Sequence, residues 1–358
     1  MTSRVYIASV DTYSGKSLAA LALGLHLREA GHRVGYFKPL GALPVTVRDV
    51  TTDEDAYFVS NRLNPDAPLD AICPVLLTPE LTQRALREDV AGLKEQIKEG
   101  FDRVAADRDV VIIGGLGKLA RGSLLGLSGP AIAELLEARV VVLSKFVPDV
   151  SVEEVLLARR LLGERFAGVI FNFVAPDDEE AVRGELGQHL ERRGIPVLGV
   201  LPPDELLSAI TVRELMANLP AKLLCCEKGV DELIVHFVIG AMGVASAAKY
   251  FRQLADKAVI TGGDRADIQL AALQTATKAI VLTGNIYPSA VIVKRAQQLG
   301  IPLLLASHDT LATVDRIEEI LGQLRVRAAT KVQRARALFD KHVDLDRIEG
   351  ALGLGRIS

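Results

Sequence analysis

The chain opens with short apolar runs that alternate with longer stretches in which apolar residues recur every three or four positions. Val5–Val10 and Arg33–Phe37 have the first pattern, typical of buried strands, and Ser17–Ala30 has the second, typical of a helix. Together they predict a β-α-β unit. Further strand candidates, separated by helical patterns such as Gly129–Leu136 and Val152–Leu162, are Val110–Ile113, Arg139–Leu143, Gly168–Phe173 and Pro196–Val200. This alternation predicts an α/β fold with a doubly wound, mostly parallel sheet.

The pattern changes after Leu201, where LPPDELL combines two prolines with charge. We place a boundary between Leu206 and Pro220, and predict a first domain over residues 1–206, a smaller α/β domain over residues 215–325, and a C-terminal helix with a tail over residues 326–358. The short buried strands expected in the second domain are Ala258–Thr261, Ala279–Leu282 and Pro302–Leu305.

Composition narrows the class of protein. The 358 residues are 49% hydrophobic and 24% charged, which is typical of a folded chain with two cores. A net charge of -3 and the lack of basic, aromatic-studded stretches argue against a nucleic-acid partner. The N-terminus carries no secretory pattern and no apolar run approaches the roughly 20 residues of a membrane span, so we expect a cytoplasmic protein without a membrane partner. The three cysteines and six histidines lack metal-ligand spacing.

The segment Ser9–Ser17, with the sequence SVDTYSGKS, follows a predicted strand and precedes a predicted helix. Backbone N–H groups of such a loop and of the helix N-terminus attract phosphate oxygens. Lys16 can then reach the outer phosphates and the Ser17 hydroxyl can ligate magnesium. Val10 stands where the standard loop has its first glycine. We predict a nucleoside triphosphate site with ATP and Mg²⁺ as cofactors, in which the loop residues are Asp11, Thr12, Tyr13, Ser14, Gly15, Lys16 and Ser17.

Three motifs together resemble the dethiobiotin synthetase family: SVDTYSGKS, then GYFKPLG at Gly35–Gly41, then NFV at Asn172–Val174. The resemblance implies that Lys38, together with Lys16, contacts substrate and phosphate as a catalytic lysine. It also implies that Asp55 helps to hold magnesium, with Asp53 as the alternative. Asn172 matches the position that contacts the adenine edge, and its alternative role is to close the turn after its strand.

One departure from that family concerns an acid linked to magnesium, which lies in a strand that ends V-E-G. Here the strand reads VVIIGGLG and Gly114 stands in place of the acid. Because phosphoryl transfer needs dense positive charge and metal ligands, the missing carboxylate favours nucleotide binding without that chemistry. Asp109 and Glu134 are the candidates to replace the lost acid.

The stretch AVITGGDRADIQLAAL, Ala258–Leu273, predicts a strand, a glycine turn and a helix. Gly262 and Gly263 permit the turn, Asp264 is expected to cap the helix, and Arg265 is a candidate contact for an anionic ligand or a facing subunit. The stretch resembles the DRTGG domain. That resemblance implies a regulatory module with a small-molecule or nucleotide ligand.

The order of the two domains resembles the N-terminal part of long phosphate acetyltransferases. Because the chain stops at Ser358, we expect the catalytic domain, and with it acetyltransferase activity, to be absent. The leading hypothesis is a regulatory or sensory ATP-binding protein that acts on a separate metabolic enzyme. One alternative is an ATP-dependent ligase that activates a small carboxylate, and another is a dimerisation scaffold with an empty loop. Weak ATPase activity stays open, and a homodimer is expected.

Overall fold

The computed structural model describes residues 2–12, 14–323 and 329–354. Over these ranges the chain forms two compact units. One is built from residues 1–203 together with residues 326–358, and the other from residues 204–325. Each unit has its own central sheet.

The first unit consists of short strands and helices that alternate along the chain. Its strands are β1 (Ser3–Ser9), β2 (Val34–Phe37), β3 (Leu40–Gly41), β4 (Pro44–Val47), β5 (Val50–Asp53), β6 (Val75–Leu76), β7 (Val110–Gly114), β8 (Arg139–Lys145), β9 (Phe166–Asn172) and β10 (Val197–Val200). Its helices up to this point are α1 (Lys16–Glu29), α2 (Glu54–Leu63), α3 (Leu69–Ile72), α4 (Pro79–Leu86), α5 (Leu93–Ala105), α6 (Gly129–Leu135), α7 (Ser151–Leu162), α8 (Pro176–Ala181) and α9 (Gly187–Glu191).

The main sheet of this unit is parallel, with the strand order β10-β9-β8-β1-β7-β2. Its inner strands are apolar without alternation: every residue of β7 is buried, and Val5 to Ser9 of β1 are buried as well. Continuous apolar strands of this kind are expected where helices cover both faces of a sheet. The smaller pairs β3-β6 and β4-β5 lie outside the main sheet.

The second unit also alternates strands and helices. Its strands are β11 (Ile210–Thr211), β12 (Ala221–Cys225), β13 (Leu233–Ile234), β14 (His236–Ile239), β15 (Lys257–Gly262), β16 (Thr277–Thr283) and β17 (Leu303–Ala306). Its helices are α10 (Glu205–Ser208), α11 (Val212–Asn218), α12 (Val244–Gln253), α13 (Ala266–Leu273), α14 (Ala290–Leu299) and α15 (Thr310–Gln323).

The central sheet of the second unit has the order β12-β17-β16-β15-β14, in which β12 is antiparallel to β17 and the other pairs are parallel. Successive residues of a strand point to opposite faces. Val259 and Ile280 therefore belong to one apolar core, whereas Ile260 and Val281 belong to the other. The sheet is covered on both faces, as the apolar runs in its strands predict.

The C-terminal helices α16 (Ala329–His342) and α17 (Leu345–Leu352) belong to the first unit. Helix α16 packs against α1, and α17 packs against β1 and β10. Ser3 Oγ donates a hydrogen bond of 3.0 Å to the Leu352 carbonyl, and Arg347 forms a two-pronged ion pair with Glu191 at 2.7 and 2.8 Å. The first unit is thus completed by residues that follow the second unit in the sequence.

The predicted fold class is confirmed: a doubly wound parallel sheet is followed by a smaller, mixed α/β sheet. The expectation that Asp264 caps α13 is wrong. The N-cap position is Arg265, whose side chain makes no capping hydrogen bond. The Arg265 N–H still donates to the Gly262 carbonyl, so the turn runs one residue further before the helix begins at Ala266. Among the described helices, none has both the length and the apolar character needed to cross a bilayer.

Candidate functional site

The phosphate loop, residues Ser9–Ser17, lies at the carboxyl end of β1. In the sheet, Ile7 is opposite both Gly114 of β7 and Val141 of β8, so the ends of these three parallel strands meet at one edge. The strand order reverses at β1, because the chain crosses from β1 toward β2 on one side and later returns to β8 on the other. Ligands of doubly wound sheets bind in the crevice at such a point.

Helix α1 begins directly after the loop, with Gly15 at its N-cap. Gly15 has φ of 92° and no side chain that could accept hydrogen bonds from the first turn, which leaves those N–H groups directed at the crevice. A Cβ at this position would lie 2.9 Å from Asn172 Nδ2, so glycine is required by both backbone and space. Lys16 Nζ lies 3.5 Å from Ser14 Oγ, above the same loop.

Three lysines give the crevice positive charge. Burial lowers the pKa of Lys16 to about 8, and the charges of Lys38 and Lys145 lower it as well. The carboxylates of Asp55 and Asp11 act in the opposite direction. Like charges held this close cost free energy in the free protein. A polyanion such as a nucleoside triphosphate relieves that repulsion when it binds.

Asp53 is fully buried and its carboxylate is satisfied by its neighbours. It accepts hydrogen bonds from Lys38 Nζ at 2.6 Å and from the backbone N–H groups of Ala42 at 2.9 Å, Leu43 at 3.0 Å and Ala56 at 3.0 Å. Burial alone would raise the pKa of this carboxyl, but Lys38 and the backbone donors hold it below its usual value. Asp53 thereby caps α2 and fixes Lys38 in place.

Asp55, in the first turn of α2, faces the loop. Its Oδ2 lies 3.3 Å from Ser17 Oγ and 3.5 Å from Lys38 Nζ. Burial favours the neutral amine of Lys38, yet the carboxylates of Asp55 and Asp53 raise its pKa above the usual range and keep it charged. A serine hydroxyl beside a carboxylate is an oxygen pair of the kind that holds Mg²⁺ when nucleotide phosphates complete the shell. Ser17 and Asp55 therefore fit a nucleotide-bound magnesium, whereas the acceptor sites of Asp53 are occupied.

Two side chains anchor the loop to the neighbouring strands. Asn172, the last residue of β9, donates from Nδ2 to the Ser14 carbonyl at 2.9 Å and accepts at Oδ1 from the Phe173 N–H at 2.9 Å. Asp11 accepts from the Lys145 N–H at 2.8 Å. Asn172 thus closes the turn after its strand, and contact with an adenine edge stays a prediction. Of the remaining predicted loop residues, Thr12 is exposed and Tyr13 lies outside the described residues.

The place of the missing acid is filled by a tyrosine. A Cβ built on Gly114 would lie 2.1 Å from Tyr36 Oη, because Tyr36 crosses from β2 toward the end of β7. Tyr36 is buried, and burial raises the pKa of its hydroxyl above the usual range. A carboxylate at position 114 is therefore incompatible with this tyrosine.

Neither candidate to replace the acid lies at the loop. Asp109 precedes β7 and is paired with Arg33 at 2.8 Å, at the amino end of the strand. The five residues of β7 place it about 16 Å from the carboxyl edge. Glu134 is exposed near the end of α6, which leads to the amino end of β8. The suggestion that Asp109 takes the place of the acid is wrong for this reason.

The glycine turn of the second unit, Gly262–Arg265, is closely packed. A Cβ on Gly263 would lie 1.8 Å from the Ile286 carbonyl oxygen. Gln269 Nε2 donates to the Gly262 carbonyl at 2.8 Å and to the Gly263 carbonyl at 3.1 Å. Arg265 bonds to Asp267 at 3.1 and 3.2 Å and to the Met242 carbonyl at 3.3 Å. A ligand role for Arg265 stays a prediction.

The fold and the loop define the first unit as a P-loop nucleotide-binding domain. A family model described as AAA domain matches residues 3–211, and one described as DRTGG domain matches residues 214–320. Since the first model covers more than half of the chain, the protein belongs to the AAA domain family, here followed by a DRTGG domain. The predicted combination of these two modules is confirmed.

Two kinds of curated relative match this chain. The phosphate acetyltransferase of Synechocystis sp. is 25% identical over 365 residues, which cover 97% of this chain and 51% of the relative. The ATP-dependent dethiobiotin synthetase BioD of Caldicellulosiruptor saccharolyticus is 30% identical over 118 residues, which cover 32% of this chain and 49% of that protein. The chain thus spans about half the length of the curated relatives it matches.

Among solved structures, the cobyrinic acid a,c-diamide synthase of Mycobacterium smegmatis with bound ADP and magnesium matches 57% of this chain and 88% of its own. The identity is 19% and the TM-score is 0.35, which is too low to carry a conclusion about ligands.

Two members of the site were not predicted from the sequence. Lys145 ends β8 beside the loop, and its position as the last residue of a buried strand could have indicated this. Tyr36 stands two residues before Lys38, inside an apolar strand, where its pattern is that of an ordinary core residue. Only the geometry reveals that its hydroxyl reaches Gly114.

Proposed function

We propose that the protein is an ATP- and Mg²⁺-binding regulatory or sensory protein that does not transfer a phosphoryl group to a substrate. The observation that carries the proposal is at the carboxyl edge of the first sheet. Lys16, Ser17 and Asp55 stand ready for nucleotide and metal, whereas Tyr36 fills the space beside Gly114 that an additional metal-linked carboxylate would need. The residues expected to bind nucleotide and magnesium are thus present, whereas a carboxylate expected for phosphoryl transfer is replaced by Gly114 and Tyr36.

In this proposal the chain's own groups account for the binding. The N–H groups of the first turn of α1 receive phosphate oxygens, and Lys16 neutralises the outer phosphates. Ser17 and Asp55 hold the magnesium ion, which neutralises phosphate charge when it is bound. Asp53 keeps Lys38 charged and correctly placed, through the ion pair at 2.6 Å.

The DRTGG domain supplies the regulatory part of the proposal. The relative from Synechocystis that matches 97% of this chain is a phosphate acetyltransferase, which suggests a role near acetyl-phosphate metabolism. We propose that nucleotide in the first unit changes the affinity of the chain for a separate enzyme. A ligand of the second unit, either a nucleotide or another small molecule, would modulate the same contact.

One observation favours the alternative, an ATP-dependent ligase that activates a small carboxylate. Lys38 is buried and charged, and it lies 3.5 Å from the carboxylate that also faces Ser17. A fixed ammonium beside the metal ligands is suited to stabilising a phosphoryl group in transfer. This hypothesis requires that a substrate carboxylate bind next to Lys38.

The test is calorimetric titration of the purified chain with ATP and with its non-hydrolysable analogue, each with Mg²⁺, followed by a phosphate-release assay with a panel of small carboxylates. Equal binding of both nucleotides without release supports the regulatory proposal. Release that depends on one carboxylate establishes the ligase instead. If neither nucleotide binds, the result supports the third hypothesis, a dimerisation scaffold with an empty loop. In the Asp55→Asn protein the affinity for ATP should no longer depend on Mg²⁺. Arg192→Ala, at an exposed position of the same unit, serves as the control.

We also propose a homodimer formed through α7. Val150, Leu157 and Leu161 are 49%, 56% and 54% exposed and lie at helical spacing on one face. Glu154 lies between Val150 and Leu157 on this face, so the exposed apolar residues form a surface with a polar interruption. Exposed apolar residues on one helix face are a feature of contact surfaces, and twofold pairing is the commonest closed arrangement. Light scattering after size exclusion should give a dimer for the wild-type chain and a monomer for Leu157→Glu. A monomeric wild-type chain would contradict the proposal.

A further inference from the structure

A cavity of about 350 Å³ lies beside α2 in the first unit. It is bounded by the turn between β4 and β5, by α2 beyond its first turn, and by the segment that follows α2. The lining includes Arg48, Tyr57, Ser60, Asn64, Asp66 and Ile72. None of the residues proposed to contact nucleotide or magnesium belongs to this lining. The volume is at the lower end of the range for small-molecule sites, roughly 300 to 1,000 Å³.

Asn64 is the buried polar group of this cavity. Only 3% of the residue is exposed, and its backbone is fully engaged: its N–H donates to the Ser60 carbonyl at 2.7 Å and its carbonyl accepts from the Ala67 N–H at 3.2 Å. Its side-chain amide has no hydrogen-bond partner among the described residues. The amide atoms of Asn64 are not among the fully buried polar atoms that lack a partner, so they remain in contact with solvent through the cavity. They are therefore available to a molecule inside the cavity.

Arg48 reaches the cavity from a strained turn. Arg48 and its neighbour Asp49 have φ of 48° and 63°, the left-handed region required at both central positions of the tight turn that joins β4 to β5. Asn-Gly is the usual choice at such positions, and an arginine there is unfavourable for the backbone. Arg48 is exposed and lines the cavity from this strained position, where a smaller residue would stabilise the turn better.

A second charged residue of the lining is Asp66, which is exposed. Within the described part of the chain, neither Arg48 nor Asp66 forms an ion pair, with each other or with another residue. Two opposite charges that line one small cavity without neutralising each other are suited to a ligand that carries both complementary charges. Ile72 is buried and Leu69 half-buried, and both add apolar surface to the lining.

We propose that this cavity binds a small zwitterion, namely a free amino acid or a molecule of similar size with one carboxylate and one ammonium group. Arg48 receives the carboxylate through charge-assisted hydrogen bonds and Asp66 receives the ammonium group. Asn64 donates to the carboxylate or accepts from the ammonium group. The site is separate from the phosphate loop and does not depend on nucleotide.

The experiment uses the full chain and the standard amino acids at millimolar concentration, first by thermal shift and then by calorimetric titration of those that raise the Tm. Propionate, ethylamine and inorganic phosphate are the probes that carry only one kind of charge. At least one amino acid should bind, and the singly charged probes should bind much more weakly. Arg48→Ala and Asp66→Ala should each lower the affinity for that amino acid about tenfold, since each removes one charge-assisted hydrogen bond.

Matched controls separate this site from general effects and from the nucleotide site. Arg192→Ala and Glu180→Ala change the same charges at exposed positions of the same unit and should leave the affinity unchanged. Lys16→Ala should lower the affinity for ATP about a hundredfold or more but keep amino-acid binding. The proposal is overturned if no amino acid binds, if Arg48→Ala and Asp66→Ala bind as the wild type does, or if propionate or phosphate alone binds as tightly without any effect of Asp66→Ala.

Discussion

The phosphate loop and the glycine turn occupy equivalent places in their units, yet their surroundings differ. Each follows a parallel strand, contains glycine, and leads into a helix whose N-cap makes no side-chain hydrogen bond. In the phosphate loop, burial lowers the pKa of Lys16, and the charges of Lys38 and Lys145 lower it further. In the glycine turn, Arg265 is paired with Asp267, which raises the pKa of the guanidinium.

The comparison teaches that the same strand-turn-helix geometry does not create an anion site by itself. Around the phosphate loop three lysines face Asp11, Asp53 and Asp55, but Lys16 itself forms no ion pair with any described residue and the first turn of α1 has no capping side chain. The glycine turn neutralises its one arginine and is filled by the Ile286 carbonyl and by Gln269. What distinguishes the two is the balance of charge and space at the helix N-terminus.

The largest effect is expected for Lys16→Ala. Loss of a charge-assisted hydrogen bond in a half-buried site costs up to about 3 kcal/mol, so affinity for ATP should fall about a hundredfold or more in a calorimetric titration. Unchanged affinity would show that the loop does not bind phosphate. Lys98→Ala, an exposed lysine on α5, is the matched control.

Gly263→Ala should destabilise the second unit by about 2 kcal/mol, because the new methyl group meets the Ile286 carbonyl and forces local repacking. Gly243→Ala is the control, since a Cβ there meets nothing within 4 Å. Urea unfolding measures both. A Gly263→Ala protein as stable as the Gly243→Ala protein would mean that the turn is looser than it is in the structure.

Affinity for ATP should fall about tenfold from about pH 7 to about pH 9. The pKa of Lys16 is about 8, below its usual value of 10.5, and only the charged amine pairs with phosphate. Between pH 8 and pH 10.5, Lys16 is protonated in more of the unfolded chains than of the folded ones. The free energy of unfolding of the nucleotide-free protein therefore rises with pH in this range. Titrations in buffers of different ionisation enthalpy should reveal proton uptake on binding above pH 8. A pH slope that persists in Lys16→Ala would assign the effect to another group.

Arg265→Ala is expected to have the smallest effect. An exposed ion pair contributes little to stability, so the Tm should barely change and ATP affinity should be that of the wild type. If the substitution abolishes binding of a nucleotide to the second unit, or changes the mass of the particle in light scattering, the neutralised arginine has a role that its contacts in the free chain conceal.

Much of this fold follows from patterns that are local in the sequence. The runs in β1, β7 and β8 are apolar throughout, so both their existence and their parallel pairing could be predicted, as could the loop between β1 and α1. Lys38 and Asp55 were identified through motif resemblance. Tyr36 could not be, because its contact with Gly114 depends on how a side chain crosses between two strands that are about 75 residues apart.

The cavity beside α2 illustrates the same limit. Asn64 and Asp66 stand in a short polar segment that looks like an ordinary loop, and Arg48 comes from a hairpin turn. Nothing in the sequence relates the turn to the segment. Their meeting is a property of tertiary packing, which also explains why the capping role of Asp264 was predicted wrongly: the length of a glycine turn depends on what fills it.

The packing of α16 on α1 has a consequence for biosynthesis. Helix α1, which begins at the phosphate loop, contacts a helix that leaves the ribosome only after the whole second unit, and His26 on α1 lies 3.0 Å from Glu349 of α17. Domains tend to fold as they emerge during translation. The second unit is therefore able to finish folding while the first, though started earlier, still lacks the helices α16 and α17 that pack beside α1.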